Sequence, residues 1–294
     1  MATPDRFALP QVAESTRKPE WLKVRMPHGQ EYERVRDIVR KTGLATVCEE
    51  ARCPNIAECW GGGTATVMLM GEVCTRACRF CHVKVGAPPP LDPEEPENLA
   101  RAVRELALEY IVVTSVNRDD RPDGGASHFA AAIRALKRES PRTSVEVLIP
   151  DFKGRWDALQ IVLDARPDVL NHNVETVPSL YRTVRAGASF SRSLELLRRS
   201  KQQGLLTKSG IMVGLGEEPA ELRETIAAIR AAGTDILTVG QYLRPSPQHL
   251  PVRRYYTPQE FDELRELALG LGYSHVESGP LVRSSYHAES HVTK

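Results

Sequence analysis

Six cysteines dominate the chemistry open to this 294-residue chain, and all fall between Cys48 and Cys81. They form two triplets. The second reads Cys74-Thr-Arg-Ala-Cys78-Arg-Phe-Cys81, a C-x3-C-x2-C spacing followed by His82. Spacing this close lets one short loop wrap three thiolates around a single inorganic cluster. Three ligands on a [4Fe–4S] cluster leave one iron open to bind and polarise a small molecule, unlike the four-cysteine electron carriers. A zinc site of Cys74, Cys78, Cys81 and His82 is the alternative, although adjacent residues rarely converge on one tetrahedral ion. The first triplet, Cys48-Glu-Glu-Ala-Arg-Cys53-Pro-Asn-Ile-Ala-Glu-Cys59, is C-x4-C-x5-C. It offers three ligands to a second cluster with one ligand missing, or to a structural zinc with a distant fourth ligand.

The compartment decides between metal and disulfide. The N-terminus, MATPDRFALPQVAEST, lacks the basic start and apolar run of a secretory signal. No apolar stretch reaches the roughly 18 residues of a membrane span. A cytoplasmic, reducing location is therefore expected, where clustered thiols serve as metal ligands rather than as a disulfide framework. Lys and Arg number 39 against 38 Asp and Glu, a net charge of +1 that gives no global attraction to nucleic acid or membrane.

The elements that must position these loops follow from periodicity. Six apolar, β-branched runs recur at 64–70, 110–116, 144–149, 168–174, 209–215 and 235–240. Helical patterns separate them, such as ENLARAVRELALE, HFAAAIRALKRE, RWDALQIVLDA, SLELLRRSKQQ and PAELRETIAAIRAAG, and TPQEFDELRELALGLG follows the sixth run. Strand–helix alternation predicts parallel βαβ units with right-handed crossovers. Six units are too few for a closed eight-stranded barrel, so the expected fold is α/β, an open partial (β/α)6 barrel; an open doubly wound sheet is the alternative. Upstream, EYERVRDIVRKTG predicts a helix with Tyr32, Val35, Ile38 and Val39 on one face and Gly43 as its stop. The proline-bearing residues 1 to about 29 read as an extended arm. Chemistry in such barrels gathers at the C-terminal ends of the strands. The Cys74 triplet follows the first strand and sits at such an end.

In that position C-x3-C-x2-C resembles the signature of the radical S-adenosylmethionine superfamily. The resemblance implies S-adenosylmethionine bound to the open iron and cleaved by one electron to a 5′-deoxyadenosyl radical. It also implies cofactor contacts from Phe80 near the adenine, from Asn117 after the second strand, and from Asn173 and Glu175 at the end of the fourth. Gly210-Ile-Met-Val-Gly214 resembles the glycine-containing fifth-strand motif, where glycine lets backbone approach a ligand closely.

The resemblance then narrows to one family. CEEARCPNIAECW, GEVCTRACRFCHV, TSVNRDDRPDGGA, NHNVET and Arg283-Ser284-Ser285-Tyr286-His287-Ala288 occur in the order found in lipoyl synthases. This implies a second, auxiliary [4Fe–4S] cluster on Cys48, Cys53, Cys59 and Ser285, carried by N- and C-terminal extensions of the barrel. The expected boundaries are 1–62, 63–272 and 273–294. The implied reaction inserts sulfur at C6 and C8 of an octanoyl chain borne on a lysine. The implied partners are octanoylated lipoyl carrier proteins, namely the lipoyl domains of 2-oxoacid dehydrogenases and the glycine cleavage H protein, together with an electron donor such as flavodoxin or ferredoxin. Arg244, Arg253 and Arg254 could face an acidic carrier or form plain solvated surface. Methylthiotransferases share the two-triplet pattern but need a further domain before the cysteines, and biotin synthases lack C-x4-C-x5-C. A zinc-binding interaction module without catalysis is the reading from another class.

Overall fold

The computed structural model describes residues 18–23, 29–42, 44–50, 53–61 and 65–291. Most of the expected N-terminal arm, and the helix stop at Gly43, lie outside these residues. Helix α1 (Gln30–Thr42) is followed by the short α2 (Val47–Glu50) and α3 (Ile56–Gly61) in the Cys48 triplet. Strand β1 (Thr66–Leu69) opens the sheet. Next come the two-residue strands β2 (Val73–Cys74) and β3 (Lys84–Val85), which pair with each other within the Cys74 loop.

Regular units follow: α4 (Glu95–Leu106), β4 (Tyr110–Ser115), α5 (Ala126–Glu139), β5 (Ser144–Leu148), α6 (Trp156–Asp164), β6 (Val169–Asn171), α7 (Tyr181–Val184), α8 (Phe190–Gln202), β7 (Leu206–Val213), α9 (Pro219–Ala231), β8 (Ile236–Gln241), α10 (Pro258–Gly270) and β9 (His275–Gly279). All pairings in the large sheet are parallel, in the order β1-β4-β5-β6-β7-β8-β9. The six expected strands are thus present and neighbour one another in sequence order, as in an open barrel. Strand β9 is a seventh that periodicity did not reveal.

Burial on both faces explains the continuous apolar runs. Outward-facing Ile111, Val113, Val145 and Val147 pack under Leu99, Val103, Phe129 and Ile133 of α4 and α5. The second half is built likewise, with Val213, Leu237 and Val239 clustering with Leu222, Ile226 and Phe261 of α9 and α10. Alternate residues face inward. There the fully buried Lys208 and Glu146 form a 3.0 Å ion pair. Tyr110 and Asn171 donate to the same carboxylate at 2.7 and 2.8 Å. Removing one partner of such a pair would leave a buried charge unmatched, so the network fixes β4 to β7 in one arrangement.

The two edge strands carry the extensions. Thr46 bridges Val67 on β1, and Met68 N–H donates to Ala45 O at 2.8 Å. At the other edge, the chain leaving β9 folds back over Gly240. A Cβ on Gly240 would lie 2.2 Å from Val282 O, so a side chain there would push this segment away. Among the described residues, no helix is long and apolar enough to cross a membrane.

Candidate active site

The Cys74 loop begins where β1 ends. Met70 takes positive φ, and its N–H donates to the Glu95 carboxylate, which also meets His128. The sulfur of Cys74 accepts from the N–H groups of Arg76 and Asn117, at 3.4 and 3.3 Å. Asn117 O in turn accepts from the Thr75 N–H and hydroxyl. Arg76 is buried and clamps the loop to two further strand ends, 2.7 Å from Asp119 after β4 and 2.7 Å from Asp151 after β5. Burial pushes the Asp151 carboxyl upward, but Arg76 more than offsets this and holds it well below the usual range. Arg192 from α8 also reaches Asp151, at 2.9 Å. The far side of the loop is held by Arg79 N–H to Val184 O and by His249 Nε2 to Cys81 O.

Glu175 arrives from the end of β6. Its φ of 74° lies in the left-handed region that a side chain rarely adopts, and such strain clusters at functional sites. Bridging to Ile211 fixes it there. Its charge is felt by both Cys78 and Cys81, and its carboxyl is pushed up by burial against the pull of Arg185 and Asn173. Burial raises the Cys78 and Cys81 thiols to about 11 and about 12. Asn173 Oδ1 and Asn117 Oδ1 are buried with no hydrogen-bond partner. A Cβ on Gly210 would sit 2.7 Å from Asn173 Oδ1, so this glycine makes room for Asn173. The space at Gly214 is likewise filled by protein, namely Gln241 and the Arg254 carbonyl. Phe80 packs half-buried against the second apolar cluster.

The Cys48 triplet lies beside this loop, because His82 Nδ1 approaches Glu50 O at 3.1 Å. That contact occupies one ring nitrogen of His82 outside the Cys74 triplet. Burial raises the Cys48 thiol to about 11 and pushes Cys53 and Cys59 upward, and the charge of Cys53 is felt at both Cys48 and Cys59. No three His, Cys, Asp or Glu among the described residues close to the distances of one metal ion. The C-terminal segment reaches the triplet from far along the sequence. Asn55 Nδ2 donates to Leu281 O at 2.7 Å, Tyr286 OH donates to Glu58 at 3.0 Å, and Arg283 lies in charge range of Cys53. Ala288 beyond it is buried against Tyr110 and Val112 inside the barrel. Ser284 and Ser285 are both half-buried here.

Known proteins resemble this arrangement. Residues 68–229 match the family model of the Radical SAM superfamily, and residues 5–53 match that of the N-terminal domain of lipoyl synthase of the Radical SAM family. Lipoyl synthase from Myxococcus xanthus is 65% identical, covering 96% of each chain. That from Rubrobacter xylanophilus is 59% identical over 92% of this chain and 85% of the relative. The chain belongs to the lipoyl synthase family.

Among solved structures, methylornithine synthase matches with a TM-score of 0.56 at 16% identity, covering 85% of this chain and 82% of that one. Streptococcus suis SuiB bound to S-adenosylmethionine gives 0.58 at 12% identity, covering 77% and 54%. These two likenesses show the fold alone. The lipoyl synthase family belongs to the radical S-adenosylmethionine superfamily, whose cofactors are a [4Fe–4S] cluster and S-adenosylmethionine. The residues present fit both. Three thiols on one loop are soft donors suited to a cluster. The orphaned oxygens of Asn117 and Asn173 each cost about 1–3 kcal/mol while unpaired, and a ligand bearing ammonium and hydroxyl donors relieves that.

Sequence reasoning missed several residues that hold the Cys74 loop and the strand ends around it. Arg76 stands inside the cysteine motif, yet its pairing with Asp119 and Asp151 exists only once three strand ends converge. Arg185, whose guanidinium donates to Asn173 O at 2.9 Å, lies in no motif. The suggested arginine surface is largely self-satisfied: Arg244 donates to the His249 and Pro247 carbonyls, and Arg254 pairs with Glu260.

His172, in NHNVET, is a support whose effect can be measured. The Ile149 carbonyl can only accept, so Nδ1 carries the proton at 2.8 Å, and Nε2 accepts from Ser193 Oγ at 3.0 Å. Burial, then the nearby Arg185 charge, lower this imidazole from 6.5 to about 3. A base depressed in the fold stabilises it above pH 6.5, and that stability is lost as pH falls and the unfolded chain alone takes up the proton. Unfolding free energy from urea titrations should fall by about 2 kcal/mol between pH 7 and pH 5. In His172→Gln that pH dependence should flatten; an equal slope in the variant would assign it elsewhere.

Proposed function

We propose that this enzyme inserts two sulfur atoms, at C6 and C8 of an octanoyl group carried on a lysine of a lipoyl carrier protein. One observation carries the reading: the two cysteine loops adjoin through His82 and Glu50, and the Arg283–Tyr286 segment is folded onto the Cys48 loop. A hydrogen-abstracting centre and a sulfur source must lie side by side to serve one substrate carbon.

Cys74, Cys78 and Cys81 hold the first cluster and leave one iron for S-adenosylmethionine. When bound, the pair supplies a 5′-deoxyadenosyl radical, needed because C6 and C8 bear no acidic hydrogen. Asn117, Asn173 and Glu175 bind the cofactor, with Phe80 toward the adenine. Arg185 balances the Glu175 charge, and the Arg76–Asp119–Asp151 network keeps the loop rigid. Cys48, Cys53, Cys59 and Ser285 hold the second cluster, which is the sulfur-donating substrate. Family resemblance, not burial, favours Ser285 over Ser284. An octanoylated lipoyl domain or H protein docks at the barrel mouth, with flavodoxin or ferredoxin as electron donor, in the cytoplasm.

Anaerobically reconstituted protein should bind about eight irons per chain. Incubation with S-adenosylmethionine, reductant and an octanoylated carrier peptide should then add two sulfurs and remove two hydrogens per octanoyl group, read by mass spectrometry. Stoichiometric zinc without iron in protein prepared anaerobically from cells would sink the proposal. An unchanged octanoyl mass despite a full iron complement would also sink it.

A further inference from the structure

Trp60 directly follows Cys59 on α3, and its side chain is fully buried. Tyr32 of α1 sets the ring, with centroids 5.3 Å apart and planes at 31°. Val35, Val39, Val67 and Met68 belong to the same cluster. A buried indole N–H normally finds an acceptor, because an apolar pocket gives it no water. Trp60 Nε1 is buried and closes no hydrogen bond. Its neighbour is the Cys48 sulfur of the same cluster, which the backbone N–H of Thr66 also approaches.

Two N–H groups from different elements therefore converge on one sulfur. A neutral thiol is a weak acceptor. A metal-bound thiolate carries charge, and hydrogen bonds to charged acceptors are roughly twice as strong. The orphaned indole thus matches the state Cys48 takes as a ligand. We propose that Trp60 Nε1–H donates a hydrogen bond to the Cys48 sulfur of the auxiliary cluster, making Trp60 a positioning residue that raises that cluster's reduction potential. The inference rests on the two-cluster reading above. Hydrogen bonds to cluster sulfurs withdraw electron density and favour the reduced form. They also mark Cys48 as a corner held firmly, in contrast to the serine corner.

The test uses full-length protein with Cys74, Cys78 and Cys81 replaced by alanine, so that only the auxiliary cluster assembles. Indole-¹⁵N tryptophan is incorporated, the cluster is reduced, and pulsed electron paramagnetic resonance reads the nitrogen coupling. A ¹⁵N coupling should be present, persist in Trp21→Phe and Trp156→Phe, and vanish in Trp60→Phe. The midpoint potential should shift negative in Trp60→Phe. Should the phenylalanine variant fail to fold, 3-benzothienylalanine at position 60 keeps the ring shape and removes only the N–H; it should give the same two changes. Absence of coupling in protein carrying about four irons would overturn the inference. An unchanged potential in both altered forms would do the same. Failure of the triple variant to bind any iron would instead overturn the auxiliary-cluster reading itself.

Discussion

Replacing Cys74, Cys78 and Cys81 together with alanine should abolish reductive cleavage of S-adenosylmethionine. Replacing Cys48, Cys53 and Cys59 should leave part of that cleavage while eliminating lipoyl product. The difference follows from where each loop is tied. The Cys74 loop is fastened to Asn117, Asp119, Asp151, Val184 and His249, at strand ends and loops that also hold the orphaned acceptors of the proposed cofactor site. The Cys48 loop is fastened to the β1 edge and to the C-terminal segment instead. Emptying the second site should leave the first intact, apart from the His82–Glu50 contact. Both loops contribute to the apolar core, since Cys48 and Cys74 are each buried in it. Circular dichroism and thermal unfolding of both variants are therefore needed alongside 5′-deoxyadenosine measurements. Equal loss of 5′-deoxyadenosine in two folded variants would refute the division of labour.

Sequence periodicity revealed the barrel because parallel strands buried on both faces read as unbroken apolar runs, and β1 and β4 are of that kind. Strand β9 does not read that way. In His275–Gly279 only Val276 is buried, so the stretch resembles a polar tail until it pairs with β8. Strands β2 and β3 are two residues each and carry no period at all. The site divides in the same manner. The proposed ligand cysteines are legible because their chemistry depends on local spacing. Arg76, Arg185 and His172 act through partners on other strand ends, and no local pattern announces such partners. Fold-level arithmetic also missed where the glycines act: Gly210 yields to Asn173, and Gly240 yields to the returning Val282 carbonyl.

Reconstituting the enzyme with isotopically labelled sulfide should give lipoyl product in which both sulfurs carry the label, and turnover should stop near one lipoyl group per chain unless sulfide or repair proteins are added. The donor set is the reason. A cluster meant for repeated electron transfer is best protected by a fourth soft thiolate, but the chain has no cysteine beyond the two triplets. The segment folded onto the Cys48 triplet offers serine oxygens, which are hard donors poorly matched to iron sulfide. Such a corner releases its iron more readily than a thiolate corner, as a donor substrate requires when its sulfides form bonds to carbon. The arm itself is well anchored on either side, by Leu281 O to Asn55 and by Ala288 inside the barrel, so losing the serine–iron bond need not unfold the segment. Ser285→Ala should accordingly depress lipoyl formation about tenfold or more, a loss of ~1.4 kcal/mol in transition-state stabilisation, while cleavage of S-adenosylmethionine changes less. If Ser284→Ala alone gives that pattern, the ligand is the neighbouring serine. Multiple turnover without added sulfide, or unlabelled product from a fully labelled cluster, would exclude the cluster as the sulfur source.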